Sequence, residues 1–251
     1  MKMHKSVVTV IVLIFSVSLA HAQELAAGKN RIMFYSDGEK VVANVFFPED
    51  YEAGKTYPAM VITPPATGVK EQTAGIYAEA FAQRGFIALA FDPRGWGESE
   101  GTQFLLNPYN IAEDARNATS YLRTLDVVDP ENIFAVGICM GAGFSSFATA
   151  YDARVKAQAV ISADVLRPDA AYAALGAEGL RTMALPAAAL ARDAKFQRDE
   201  DLLRKPVPMT EAEIQAQPDP VVLGMREYYL DGMPGDVPNW INRGHHLSTE
   251  Y

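Results

Sequence analysis

Apolar residues along the chain fall into short strand-length runs, separated by helical-period segments and by clusters of Gly, Pro, Asp and Asn. Residues 31–35 and 41–47 are predicted as strands, with Ser36-Asp37-Gly38 as the turn between them. Residues 48–57 form a polar loop, and 59–63 a short apolar strand that Pro64-Pro65 stops. The spacing predicts a helix over 72–84 with Ile76, Tyr77, Ala80 and Phe81 on one face, ended by Gly85 in the left-handed conformation. Residues 86–91 are apolar throughout, as in a strand buried on both faces of a parallel sheet. A Gly-rich loop (92–101), a helix (111–122), a turn at Asp129-Pro130, a buried strand (133–136), a helix (143–151) and an apolar strand (157–162) follow. Strands that alternate with helices imply an α/β fold, with a mostly parallel sheet covered by helices on both faces.

The pattern then changes. Residues 170–194 are alanine-rich and helical in period, 199–204 are charged, and Thr210 opens a further helix with a capping box to Glu213. A Met- and Tyr-rich helix over 220–230 and a Gly/Pro loop over 231–239 complete the stretch. Residues 167–240 therefore read as a helical insertion of the kind that lids a pocket.

The amino terminus carries a basic segment (Lys2, His4, Lys5), an apolar run over 7–19 and the small-residue site Ala20-His21-Ala22. An apolar run of 13 residues falls short of the roughly 20 needed to span a bilayer, so a cleaved secretory signal over 1–22 is expected rather than an anchor. The expectation is an exported protein, periplasmic or extracellular, with no membrane span once the signal is removed. Cleavage leaves 229 of the 251 residues, one domain over 23–251. Of 22 basic residues, Lys2 and Lys5 leave with the signal, so 20 stand against 31 acidic ones, a formal charge of −11. Such a surface repels phosphate backbones, and nucleic acid is not an expected partner.

Cys139 is the single cysteine, so it forms no internal disulfide. The histidines are His4, His21, His245 and His246, of which the first two leave with the signal, and no metal site is expected. Cys139 stands in Gly137-Ile138-Cys139-Met140-Gly141, directly after the strand over 133–136 and before a helix. A nucleophile elbow needs this arrangement: a sharp strand-to-helix turn that exposes the nucleophile, with small residues two before and two after it. The helix N-terminus favours negative charge at that point, and the backbone N–H of Met140 points toward an oxyanion forming on a bound acyl group. The alternative is a buried structural cysteine in a Gly-rich turn. Because Pro64 and Pro65 lack an N–H, the second oxyanion donor is expected from Ala66 or Thr67, with Ala66 favoured. Gly68-Val69-Lys70-Glu71 lacks the Gly-Lys-Ser/Thr ending of a phosphate loop. In Asp92-Pro93-Arg94-Gly95-Trp96-Gly97-Glu98-Ser99, Arg94 is expected to pair with Asp92 and Trp96 to pack rather than stack on a ligand. The sequon Asn117-Ala118-Thr119 falls inside a predicted helix and is discounted.

Three segments together resemble one group of proteins: the run from Gly68-Val69-Lys70-Glu71 through Gln72-Thr73-Ala74-Gly75, Ala90-Phe91-Asp92 with its Gly-rich tail, and the Cys139 elbow. That group is the dienelactone-hydrolase-like α/β-hydrolases, in the branch that includes polyketide-transferase-like proteins, and the resemblance covers roughly residues 31–250. It implies a Cys or Ser nucleophile with a histidine base and an acidic partner, acting on esters, lactones or related small acyl compounds without a cofactor. The chain departs from the group's pattern in two places. Pro64-Pro65-Ala66 stands where the group commonly has a His-Pro-Gly or His-Gly stretch. The two last strands, whose following turns carry the acid and then the base, are not found before Tyr251. A truncated relative is the expectation, with Asp164 as a substitute acid, and His245 or His246 as a substitute base, at most. The strand over 157–162 is then an apolar edge that invites self-association. An acyl compound is the expected partner for any of three readings: a hydrolase, an acyltransferase, or an inactive relative that binds its ligand under the insertion.

Overall fold

The computed structural model describes residues 25–103, 105–163, 176–179, 181–182, 185–198, 203–204 and 247–248. Strands β1 (Gly28–Ser36) and β2 (Glu39–Phe47) form an antiparallel hairpin in which Ser36 faces Glu39. Only Asp37 and Gly38 lie between them, both with positive φ (48° and 85°). That mirror-image turn matches the right-handed twist of the strands, and glycine adopts it without steric cost. β2 pairs antiparallel with β4 (Ile87–Phe91), and β4 pairs parallel with β3 (Tyr57–Thr63). β3 pairs parallel with β5 (Val128–Ile138), which pairs parallel with β6 (Val155–Ile161). The strand order is β1-β2-β4-β3-β5-β6, the mostly parallel sheet expected from the sequence.

Helices cover both faces. Alternating residues of β4 divide the core: Ile87, Leu89 and Phe91 pack with helices α2 (Pro108–Leu122) and α3 (Gly141–Ala150), while Ala88 and Ala90 pack with α1 (Thr73–Ala82). The contact with α1 differs from the expected one. Its most buried positions are Ala74, Ala78 and Ala82, whereas Ile76 is 52% exposed and Tyr77 and Phe81 flank the contact. A stripe of alanines at i, i+4 and i+8 meets two strand alanines, and these small side chains let the helix approach the sheet closely. α2 begins earlier than its apolar period suggests. Asn107 accepts hydrogen bonds from the amides of Tyr109 and Asn110 at 3.0 and 3.3 Å, and Pro108 takes the first helical position.

The expected turn at Asp129-Pro130 is present as an irregularity within β5. The pairing register shifts there, with Asp129 accepting from the Glu131 amide at 3.0 Å and from the Asn132 side chain at 2.7 Å. β6 is an edge among the described strands, and Val160 is 51% exposed. Of the expected insertion, residues 176–179 are helical and α4 (Leu185–Arg198) is a helix. Apart from residues 181–182 and 203–204, the remainder of 167–240, including the capping box at Thr210 and the helix over 220–230, lies outside the described residues, as does the signal over 1–22. β7 (Leu203–Arg204) and β8 (Leu247–Ser248) form a short separate antiparallel pair.

Two substitutions test this packing. Leu89 is fully buried in the central strand, so Leu89→Ala is expected to cost about 2–5 kcal/mol in urea denaturation. The Thr63 hydroxyl is buried at the end of β3 without a hydrogen-bond partner among the described residues, so the isosteric Thr63→Val is expected to stabilise the protein by about 1 kcal/mol in the same assay.

Candidate active site

The carboxyl ends of β3, β5 and β6 lie side by side, and there the backbone is strained. Among the described residues, four non-glycine residues have positive φ. One is Asp37 of the hairpin turn; the others are Thr67 (63°), Cys139 (55°) and Ser162 (48°), in the segments that leave these three strands. Such conformations are uncommon outside glycine, most of all for a β-branched residue such as threonine, and they concentrate at functional sites.

The elbow forms because close approach leaves no room for side chains around Cys139. A Cβ on Gly137 would lie 2.5 Å from the Ala142 Cα and the Gly141 carbonyl oxygen. A Cβ on Gly141 would strike the Pro64 carbonyl oxygen and lie 2.6 Å from that of Thr63. These obstacles are backbone atoms and cannot swing aside, so the two glycines press α3 onto the end of β3. The Cys139 amide donates to the Ile161 carbonyl of β6 at 2.9 Å, and its carbonyl accepts from Ala142 at 3.0 Å. With both backbone groups engaged, the left-handed turn is fixed and the partly exposed thiol is carried at the sheet's edge. Met140, partly exposed, follows in helical conformation as the N-cap of α3.

The loop leaving β3 turns tightly, the Gly68 amide donating to the Pro65 carbonyl at 2.9 Å. Ala66 is partly exposed, and Thr67 is buried. No acceptor among the described residues takes the backbone N–H of Ala66, Thr67 or Met140. These three sequence-selected residues thus keep their donors available in the segments that follow the neighbouring strands β3 and β5. Asp164, His245 and His246 lie outside the described residues. No group of three or more His, Cys, Asp or Glu side chains among the described residues could hold a metal ion.

The expected pairing of Arg94 with Asp92 is not found. Arg94 Nε instead lies 2.6 Å from Asp114 of α2, and its terminal nitrogen 3.0 Å from Asp37. Asp92 pairs with a residue whose role the sequence reading missed, Lys70. Its Oδ2 receives the Lys70 ammonium at 2.7 Å and the Glu98 amide at 2.9 Å, and its Oδ1 the Lys70 backbone N–H at 2.7 Å. The same ammonium meets Glu98 at 2.7 Å and Glu71 at 2.9 Å, and Arg31 caps Glu98 at 2.9 Å. Both Lys70 and Asp92 are within 1% of complete burial. Trp96 is buried in the core, as expected, and donates to the Leu105 carbonyl at 3.1 Å. Asn117 lies within α2 and donates to the Ser36 hydroxyl at 3.1 Å. A groove of about 460 Å³ between β2 and α1 touches Lys70 and Glu71, and none of its lining residues belongs to the elbow.

Burial pushes the Asp92 carboxyl up to about 6, against the pull of Lys70. Burial alone would lower Lys70, but the carboxylates of Asp92, Glu71 and Glu98 hold its ammonium above the ordinary lysine range. Hydrogen bonds from Arg31, with Lys70 behind them, hold Glu98 down at about 2.

A mostly parallel sheet in this order, with a strand, strained turn and glycine-flanked helix at its carboxyl edge, is an α/β-hydrolase fold. The chain belongs to the hydrolase family described as serine aminopeptidase, S33, whose model matches residues 67–215. It is 40% identical over 138 residues to the uncharacterized protein YcjY of Escherichia coli, a match covering 53% of this chain and 45% of that protein. It is 34% identical over 113 residues to the acyltransferase drtE of Aspergillus calidoustus, covering 45% of this chain and 37% of that protein. The crystal structure of the hypothetical protein PA2218 from Pseudomonas aeruginosa superposes with a TM-score of 0.71 at 27% identity, over 88% of this chain and 68% of that one. The chain thus spans less than half the length of these curated relatives.

The charge cluster gives a pH-dependent prediction. Glu98 contributes stability above its unfolded value, and this is lost as the pH falls through about 2; the raised Asp92 works against folding as the pH rises through about 6. Lys70→Met leaves a buried carboxylate without its cation and is expected to cost about 3–5 kcal/mol at pH 8. Because a protonated Asp92 tolerates burial, urea denaturation at pH 5 should show a much smaller loss.

Proposed function

We propose that Cys139 is the nucleophile of a hydrolase that opens a carboxylic ester or lactone, with the Met140 and Ala66 amides as oxyanion donors. The supporting observation is the backbone at Cys139, held at a φ of 55° beside two amides that have no acceptor among the described residues. A nucleophile so placed attacks the acyl carbon: the S–C bond forms, the carbonyl π pair moves to oxygen, and two N–H groups meet the negative charge as it develops. Collapse of this intermediate breaks the bond to the leaving oxygen, which ends with the proton that the thiol gave up. Water then returns the thiol and releases the acid. The family description names a serine enzyme, whereas the elbow here presents cysteine.

Transfer of the acyl group to an acceptor other than water is the second reading, favoured by the similarity to a protein named an acyltransferase. Asp164 and His245 or His246 remain the candidates for acid and base. The substrate is read as a small acyl compound, and the protein as exported on the strength of its basic, apolar and Ala20-His21-Ala22 leading segments.

Incubation with p-nitrophenyl acetate is expected to add one acetyl group to Cys139, seen by intact-mass and peptide mass spectrometry, and Cys139→Ala to abolish both adduct and turnover. Full turnover in Cys139→Ala would sink the assignment, and the absence of both adduct and turnover in the wild type would favour an acyl-binding role. Added alcohols or amines that appear in the product would identify transfer.

A further inference from the structure

We propose that the buried ion pair of Lys70 with Asp92 is a positioning device: it sets the height of the turn over residues 64–68 so that the Ala66 amide faces the acyl oxygen on Cys139. The inference rests on the reading of Cys139 as an acylated nucleophile.

The turn is held at two ends and only lightly between them. At its start, the Thr63 and Pro64 carbonyls lie against Gly141 of the elbow, so this end moves with Cys139. Within the turn, the hydrogen bond from Gly68 to Pro65 is the one backbone bond that its described residues make with each other. At its far end, Asp92 grips Lys70 twice, by the backbone N–H through Oδ1 and by the ammonium through Oδ2, each at 2.7 Å. Gripping both fixes the orientation of the Lys70 peptide as well as its position. The clasp is itself hemmed in, because a Cβ on Gly97 would strike the Asp92 carboxylate and one on Gly75 would strike the Lys70 carbonyl oxygen. Asp92 directly follows β4 and also receives the Glu98 amide, so the β4 loop and the β3 loop are tied at one carboxylate.

Stability alone is a weak reason for such a pair. A well-packed apolar pair in the same space is often as stable as a buried salt bridge. What charge adds is direction: the two oxygens of Asp92 accept only where donors point at them, and Glu71 and Glu98 meet the same ammonium at 2.9 and 2.7 Å, so three carboxylates hold it. An oxyanion donor needs that accuracy, since a displacement of about 1 Å can cost about 100-fold in rate.

The test compares two reagents on the same thiol. p-Nitrophenyl acetate acylates Cys139 through an oxyanion and expels p-nitrophenolate. Iodoacetamide alkylates it by displacing iodide at a saturated carbon, with no oxyanion, and the thiol proton passes to solvent. The ratio of the two rates therefore reports the donors and cancels changes in the thiol. Asp92→Asn, which keeps an acceptor oxygen, and Lys70→Met are each expected to lower the ratio by about 10- to 100-fold. The wild type supplies a measurement without substitution: the ratio should fall as the pH drops from 7.5 to 5 and Asp92, facing Lys70, Glu71 and Glu98, takes up its proton. A ratio unchanged in the variants and flat with pH overturns the positioning role while leaving the nucleophile intact. Alkylation of wild-type Cys139 without any acylation overturns the nucleophile reading and this inference with it.

Discussion

The contact between Gly141 and the end of β3 is the constraint on which the candidate site depends. It brings the N-terminus of α3 against the Thr63 and Pro64 carbonyls, at a separation that admits no side chain. From it follow the sharp turn at Cys139 and the neighbouring loop over 64–68, segments whose Met140 and Ala66 amides have no acceptor among the described residues. Gly137 serves the same approach from the strand side, against the first turn of the helix. The rest of the sheet supplies the rigid frame: β4, and β5 from Ala135 to Ile138, are buried on both faces and cannot shift without opening the core.

Two buried charge pairs hold the loops at this edge. Arg94 ties the β4 loop to α2 through Asp114, and Lys70 ties the β3 loop to Asp92. Each pair anchors a segment that has just left its strand, and the 92–100 loop adds backbone hydrogen bonds of its own, among them Gly95 to Glu100 at 2.8 Å and Ser99 to Trp96 at 3.0 Å. A loop there can be defined by packing, which is permissive, or by directed polar contacts, which are not; this protein uses the second.

The strands, helices and elbow were legible in the sequence because each is written locally. Apolar runs of strand length, glycine at fixed offsets from Cys139, and proline after β3 all act within a few residues. The charge partners were not, because they are set by distance in space. Arg94 and Asp92 are neighbours in sequence, yet Asp92 is taken by Lys70, 22 positions away, and Arg94 by Asp114. One signal was available: Asp114 occupies a buried position of α2 among Ile111, Ala112, Ala115 and Ala118, and an acidic residue there requires a buried cation. The buried face of α1 is likewise set by its neighbours in space. Large apolar residues look like core, but the buried positions of α1 that meet Ala88 and Ala90 are Ala74, Ala78 and Ala82.

The three strained residues at the sheet's edge carry a consequence for how this protein can change. Thr67, Cys139 and Ser162 occupy backbone conformations that glycine reaches without penalty. At each position, stability taken alone favours losing the side chain. Drift toward glycine at Thr67 or Ser162 would relax the fold and still leave the backbone donors in place. The same change at Cys139 would trade the only thiol in the chain for a more comfortable turn. Which of the three positions keeps its side chain across descendants of this sequence is therefore a record of what selection has asked of the site.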